Sequence, residues 1–168
     1  MLPTGPFAPA DLRISFTCAG VGSVPFIVGV NTLLLSASST PVPDIVALGA
    51  TATKDGIVHL VGGAGAFAIA TSNVGSAGSI TFSADTGGVN VPVVLSVCET
   101  NPPTGACLAL PTPTVTTTIG AGQTPTFAIF ASTGNTIPLD AKNNRVFGRF
   151  TDGGGVPRGA TSVAVTTQ

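Results

Sequence analysis

The chain has 168 residues, 43% of them apolar and only 8% charged, with 6 basic against 7 acidic side chains. That is long enough to bury a core and too apolar to stay disordered; near-neutrality supplies neither a basic face for nucleic acid or anionic membrane nor an acidic run for cations. One His and no Trp or Tyr remove most of the usual equipment for acid–base catalysis and for stacking on sugars or bases, so neither an enzymatic activity nor a cofactor is expected.

Read in chain order, β-branched and apolar residues come in runs of four to eight broken by Gly, Pro, Asn and Asp, the pattern of an all-β protein. The expected strands are Leu12–Thr17, Val24–Val30, Thr32–Ala37, Asp44–Ala50, Ile57–Val61 and Ala66–Thr71. They continue with Ser79–Ala84, Val91–Cys98, Thr112–Ile119, Thr124–Ala131, Arg145–Thr151 and Ala160–Thr166. Residues 1–11 read as a tail, and Met1-Leu2-Pro3-Thr4-Gly5-Pro6 has neither the basic nor the apolar region of a signal peptide. The longest apolar run, Val24 to Ala37, is about half of a bilayer crossing and contains Pro25, Gly29 and Asn31. It is expected to be a pair of core strands, not a membrane insertion, and the nine Phe are expected to anchor the core. Helical periodicity is nearly absent; Pro138–Asn144 alone could make a single turn.

Low charge combined with abundant Thr, Val, Ala, Ser and Gly suits extended strands with uncharged faces and points to an extracellular or cell-surface location. Two of the three cysteines agree. Cys98 and Cys107 bracket a Pro102-Pro103 pair and Gly105, which reverse the chain and bring the thiols together as a disulfide in an oxidising compartment. A zinc half-site is the competing reading, but the spacing is long and no second pair follows. Cys18 is left over, either a small buried apolar residue or an intermolecular contact.

The chain echoes itself. Phe67-Ala68-Ile69-Ala70-Thr71-Ser72 returns as Phe127-Ala128-Ile129-Phe130-Ala131-Ser132. In the same order, Ser83-Ala84-Asp85-Thr86-Gly87-Gly88 returns as Phe150-Thr151-Asp152-Gly153-Gly154-Gly155, and Leu95-Ser96-Val97 as Thr161-Ser162-Val163. Collinear echoes of this kind arise from repeated strand–turn units. They suggest a β-sandwich unit over 12–98, a Pro-rich disulfide hairpin or linker over 99–113, and a second β unit over 114–168, either tandem or completing one joint sandwich. The Phe67 to Cys107 stretch, together with Asn143 to Gly154 and Arg158 to Val165, resembles immunoglobulin-like β-sandwich segments of large secreted bacterial surface proteins. The resemblance implies a structural or adhesive surface role. The core Trp of immunoglobulin domains is missing, so the likeness is one of architecture.

Motifs with chemical potential are few. Asp85-Thr86-Gly87 has the form of an aspartic-protease loop, which needs a second carboxylate to share its proton; the echoed Asp152-Gly153-Gly154 lacks the Thr. The alternative is a turn in which Asp accepts backbone N–H bonds. His59, on a short strand with Val58 and Leu60, reads as an edge or solvent-facing histidine. Gly62-Gly63-Ala64-Gly65 precedes a strand instead of opening a helix, so it is a loop and no phosphate cradle. The acidic residues are scattered and no metal site is expected, although Asp140 with Asn143 and Asn144 could serve calcium or form an Asx-capped turn. Arg145, Arg149 and Arg158 could make a basic patch or an ordinary solvated strand face.

The sequence thus leads to a structural or adhesive extracellular module, part of a surface protein or a subunit of an extracellular assembly, with self-association or neighbouring surface domains as partners. A protein- or glycan-binding module is the alternative, and an aspartic-type hydrolase the third.

Overall fold

The computed structural model describes residues 4–17, 19, 20 and 22–168, so the expectation for Cys18 lies outside the described residues. Eleven strands are formed: β1 (Phe7–Arg13), β2 (Thr32–Ala37), β3 (Ile45–Ala50), β4 (Ile57–His59), β5 (Ala64–Asn73), β6 (Gly78–Asp85), β7 (Val94–Thr100), β8 (Thr114–Ile119), β9 (Thr126–Ser132), β10 (Arg145–Asp152) and β11 (Pro157–Thr166). They form a two-stranded sheet β1-β2, a five-stranded sheet β4-β11-β10-β6-β8 and a four-stranded sheet β3-β5-β9-β7. Every pair is antiparallel except β4 with β11. The fold is all-β, with no helix among the described residues; Pro138–Asn144 contains a turn closed by Asn144 N–H donating to Asp140 O at 2.8 Å.

Period-two patterning decides which residues meet. In β5, Phe67, Ile69, Thr71 and Asn73 are buried while Ala66, Ala68 and Ala70 are exposed. The two larger sheets turn such faces on each other and bury one core, in which Phe82 and Phe150 stack at 4.7 Å between ring centroids. Phe127 reaches them from the opposite sheet at 4.8 and 5.4 Å. Gly148 lies where a side chain would strike Ile69 Cδ1 at 2.6 Å, so the glycine in this otherwise alternating strand makes room for the rings' neighbours.

The sequence echo has a spatial meaning. Strands β5 and β9 lie side by side with Ala68 opposite Ala128, Phe67 opposite Ile129 and Ile69 opposite Phe127. Likewise β6 and β10 pair with Phe82 opposite Phe150. The first echo thus lies beside its own copy about a local two-fold, the copies of the second meet only at their starts and diverge from there, and strands from both sides of 99–113 are mixed within both sheets. The third echo does not pair, since β7 and β11 belong to different sheets.

Asn73, at the end of β5, is buried and joins three segments. Its carbonyl oxygen accepts from Asp44 N–H and Gly75 N–H, and its amide donates to Ser76 O at 2.8 Å and Ile119 O at 3.1 Å. At the other end of the four-stranded sheet, the edge of β7 is covered by the segment that follows it. Leu108 N–H donates to Glu99 O, and Val97 and Thr112 exchange a pair of backbone bonds at 2.7 and 3.0 Å. The Cys98–Cys107 disulfide, with 5.7 Å between Cα atoms, fastens that cover to the strand. Strand β8, rich in Thr, ends the five-stranded sheet.

Several expectations fail in the N-terminal quarter: the expected tail over 1–11 and strand Leu12–Thr17 are replaced by β1, which begins at Phe7 and ends at Arg13. Val24–Val30 is not a strand but a loop closed by a turn at 27–30, and the Val24 to Ala37 run is not core. Asn31 organises the loop, accepting from Ile27 N–H at 2.7 Å and donating to Pro25 O at 3.0 Å. Phe7, Phe16 and Phe26 are exposed, so only some of the nine Phe anchor the core: Phe67, Phe82, Phe127 and Phe150 are buried.

Candidate functional site

Asp85 and Asp152 sit at opposite ends of the β6–β10 pair, Asp85 facing Phe147 and Asp152 facing Ile80. Five strand steps separate them, about 17 Å. No shared proton is possible at that range, and the aspartic dyad does not form. Each carboxylate has its own arginine instead. Arg149 donates to Asp85 through Nε and, at 3.1 Å, through Nη2, while its guanidinium lies 4.8 Å from the Phe147 ring centroid. Asp152 accepts from Gly154 N–H and Val156 N–H and from Arg158 Nε at 2.7 Å. Burial there works against ionisation, but the Val156 and Gly154 amides and Arg158 outweigh it and hold the carboxyl below the usual range.

Arg145 corrects the basic-patch reading. It is buried, donating to Ser162 Oγ at 3.0 Å, Ser162 O at 2.8 Å and Ala141 O at 2.7 Å. With Arg149 and Arg158 paired to acids, these three cations present no joint patch. Desolvation lowers the Arg145 pKa. Its role is to tie the turn before β10 to β11, and Ser162 Oγ extends the chain of bonds by donating to Val28 O at 2.9 Å.

Asp140 accepts from Lys142 N–H, Asn143 N–H and Asn143 Nδ2, and Asn144 Nδ2 donates to Pro138 O, so the group closes its own turn. The Asn143 bonds keep the Asp140 carboxyl below its ordinary value. No cluster of three or more His, Cys, Asp or Glu able to hold a metal occurs among the described residues.

His59 is half exposed at the free side of β4. Its Nε2 lies 3.1 Å from Asp55 Oδ2 and its Nδ1 3.2 Å from the Gln168 carbonyl. Both partners are acceptors, so only the doubly protonated ring satisfies both contacts. The Asp55 bond first, then the Gln168 carbonyl, raises the His59 pKa. Asp55 itself is held well below the carboxylate range by Thr53 Oγ1, Ile57 N–H and His59. With both nitrogens engaged, His59 fastens the end of β11 and has no free nitrogen to activate a nucleophile.

The remaining feature is the β1–β2 hairpin. Its register sets Leu12 opposite Leu33, Ala10 opposite Leu35, and Asp11 opposite Leu34. Asp11 and Leu34, with Pro9 and Val28, line a narrow cleft against Arg149, Thr151, Pro157 and Ala160 of the sandwich. Alternation then turns Leu12, Leu33 and Leu35 away from the body, where they are 52%, 50% and 40% exposed. The same parity continues past the strand to Ile14 and Phe16, both exposed, with Ile14 N–H donating to Asn31 O and Val24 N–H to Phe16 O. The hairpin thus turns Leu12, Leu33 and Leu35 outward, while the side toward the body mixes half-buried Pro9 and Leu34 with an exposed Asp11, so its aliphatic stripe does not cover the core. One firm attachment holds it: Gly29, at φ +76°, brings the loop so close to Thr161 and Ser162 that a side chain would meet their backbone at 3.0 Å.

No helix of the described residues is long and apolar enough to cross a membrane. Compared with protein-family models, curated proteins and solved structures, the chain matches none.

Proposed function

We propose that this chain is a structural or adhesive module of the extracellular space or cell surface, an immunoglobulin-like sandwich that acts by association and not by catalysis. One observation carries the reading: of the nineteen large apolar side chains left exposed among the described residues, ten lie between Phe7 and Leu35, on or beside one hairpin, whereas the rest of the chain buries a continuous core. Apolar surface concentrated in this way marks an interaction site.

Several features support the architecture and the habitat. The orders β3-β5-β9-β7 and β8-β6-β10-β11 parallel the A-B-E-D and C′-C-F-G orders of immunoglobulin sheets, with β4 alongside the last strand. Two departures stand against a strict match: β8 comes after β7 in the chain, and the disulfide clamps a sheet edge instead of joining the sheets. A disulfide fits an oxidising compartment. Among binding roles, the apolar hairpin favours a protein partner over a glycan, since sugar platforms are built from Trp and Tyr, which the chain lacks.

Light scattering and negative-stain microscopy across a concentration series, with and without reductant, test the reading. A defined oligomer or filament is expected; a monomer indifferent to concentration and to added surface proteins would overturn it.

A further inference from the structure

We infer that the outward stripe of the β1–β2 hairpin, formed by Leu12, Ile14, Phe16, Leu33 and Leu35, is the contact face of a two-fold homodimer, stacked on the same stripe of a second copy. The inference rests on the associating role proposed above and names its partner. A two-stranded sheet is at best marginally stable in water and gains independence only when its apolar face is covered. Here the other face lies toward the body, where Pro9 and Leu34 are half-buried beside the cleft while Asp11 stays exposed. What the outward face lacks is a second sheet about 10 Å away, the ordinary spacing of stacked sheets.

Two arguments select an identical chain. The first is area. The five residues of the stripe, 40–53% exposed, leave on the order of 450 Å² uncovered, and the exposed Phe7, Val24, Phe26 and Val30 of the same hairpin and loop raise the apolar surface to on the order of 700 Å². That exceeds the roughly 300–600 Å² of the largest patch on a typical monomer and approaches the roughly 800 Å² that each partner buries in a standard interface. The second is charge. The stripe carries no ionisable group: Asp11 alternates to the other face, and Arg13 lies over the Phe26 ring at 5.3 Å. Apposing two identical stripes therefore brings no like charges together, and an isologous two-fold contact requires only that a patch complement itself. A uniformly aliphatic and aromatic strip does so.

The test uses the whole chain carrying Cys18→Ser, so that a thiol-linked pair is not mistaken for a stripe-linked one. Two charged forms are made, Leu12→Lys with Leu33→Lys and Leu12→Glu with Leu33→Glu. The parent is expected to be a dimer by light scattering at micromolar concentration. Each charged form is expected to associate about a hundredfold more weakly or worse, with its circular-dichroism melting unchanged because the sandwich core is untouched. Mixing the two forms should restore a dimer. If either form misfolds, Leu33→Ser with Leu35→Ser gives the same readout with less perturbation. Charged forms that dimerise as tightly as the parent would overturn the stripe while leaving the associating role intact. Monomeric charged forms that stay apart on mixing, with a dimeric parent, would overturn the face-to-face arrangement. A parent that is monomeric throughout would overturn the homodimer, and the associating role falls with it when that monomer also ignores added surface proteins.

Discussion

The sandwich and the hairpin are made of the same kinds of residue, yet one buries its apolar face and the other displays it. In β6 the alternating Ile80 and Phe82 are buried, with Phe82 stacked on Phe150 of the neighbouring strand and against Phe127 of the opposite sheet. In the hairpin, Leu12 and Leu33 are just as regularly placed and face away from the body. The difference is parity: a strand shifted by one residue sends its whole apolar set to the other side. What distinguishes the regions is thus which face each strand turns toward its neighbour, not strand propensity.

Substitutions should separate the two regions by size of effect. Phe82→Ala removes the ring stacked on Phe150 and touching Phe127, and is expected to cost about 3–5 kcal/mol, lowering the melting temperature by about 10 °C or more. A loss below about 1 kcal/mol in thermal or denaturant unfolding would mean that the aromatic cluster is not the centre of the core. Next comes the edge clamp. Replacing Cys98 and Cys107 together by Ser should cost roughly 2–3 kcal/mol by freeing a short loop in the unfolded chain. Hydrogen exchange should rise first at Val97 and Thr112, whose mutual bonds the clamp protects.

In the hairpin the comparison inverts. Leu33→Ser, a substitution that a core strand would not tolerate, should change sandwich stability in the monomer by less than about 0.5 kcal/mol. A larger loss would show the hairpin to be packed on its own body. The smallest expected effect is at His59. Its folded pKa is raised, so its contribution is fully present below the unfolded value of 6.5 and is lost as pH rises through the folded one. Proton NMR titration should find the ring titrating above 6.5, and Asp55→Asn should bring it back down. A midpoint unmoved by that substitution would remove Asp55 as the cause.

Much of this was readable before any coordinates. The strand at Thr32–Ala37 is found at those limits, Ile57–Val61 and Arg145–Thr151 start where expected and end within two residues of it, and Ser79–Ala84 is longer by one residue at each end. These runs alternate or end at Gly and Asp, local signals that tertiary contacts had no reason to override. The 98–107 reversal held for the same reason: Pro102, Pro103 and Gly105 restrict the chain locally, whatever lies around it. Val24–Val30 failed because Pro25, Gly29 and Asn31 fold it into a loop that Asn31 stitches together. Arg145 failed because its acceptors on Ala141 and Ser162 come from a turn and from the neighbouring strand, whose positions only the assembled sheet defines.

The sequence by itself determined that this is an all-β chain with a local disulfide, because strand periodicity and turn chemistry act over a few residues. Only the tertiary structure decided which echoes lie side by side, that Asp85 and Asp152 stand too far apart to share a proton, and that the apolar side of the first hairpin faces out. Those outcomes depend on register between distant strands, and register is set by the fit of whole faces to one another, a property that no short stretch of the chain contains.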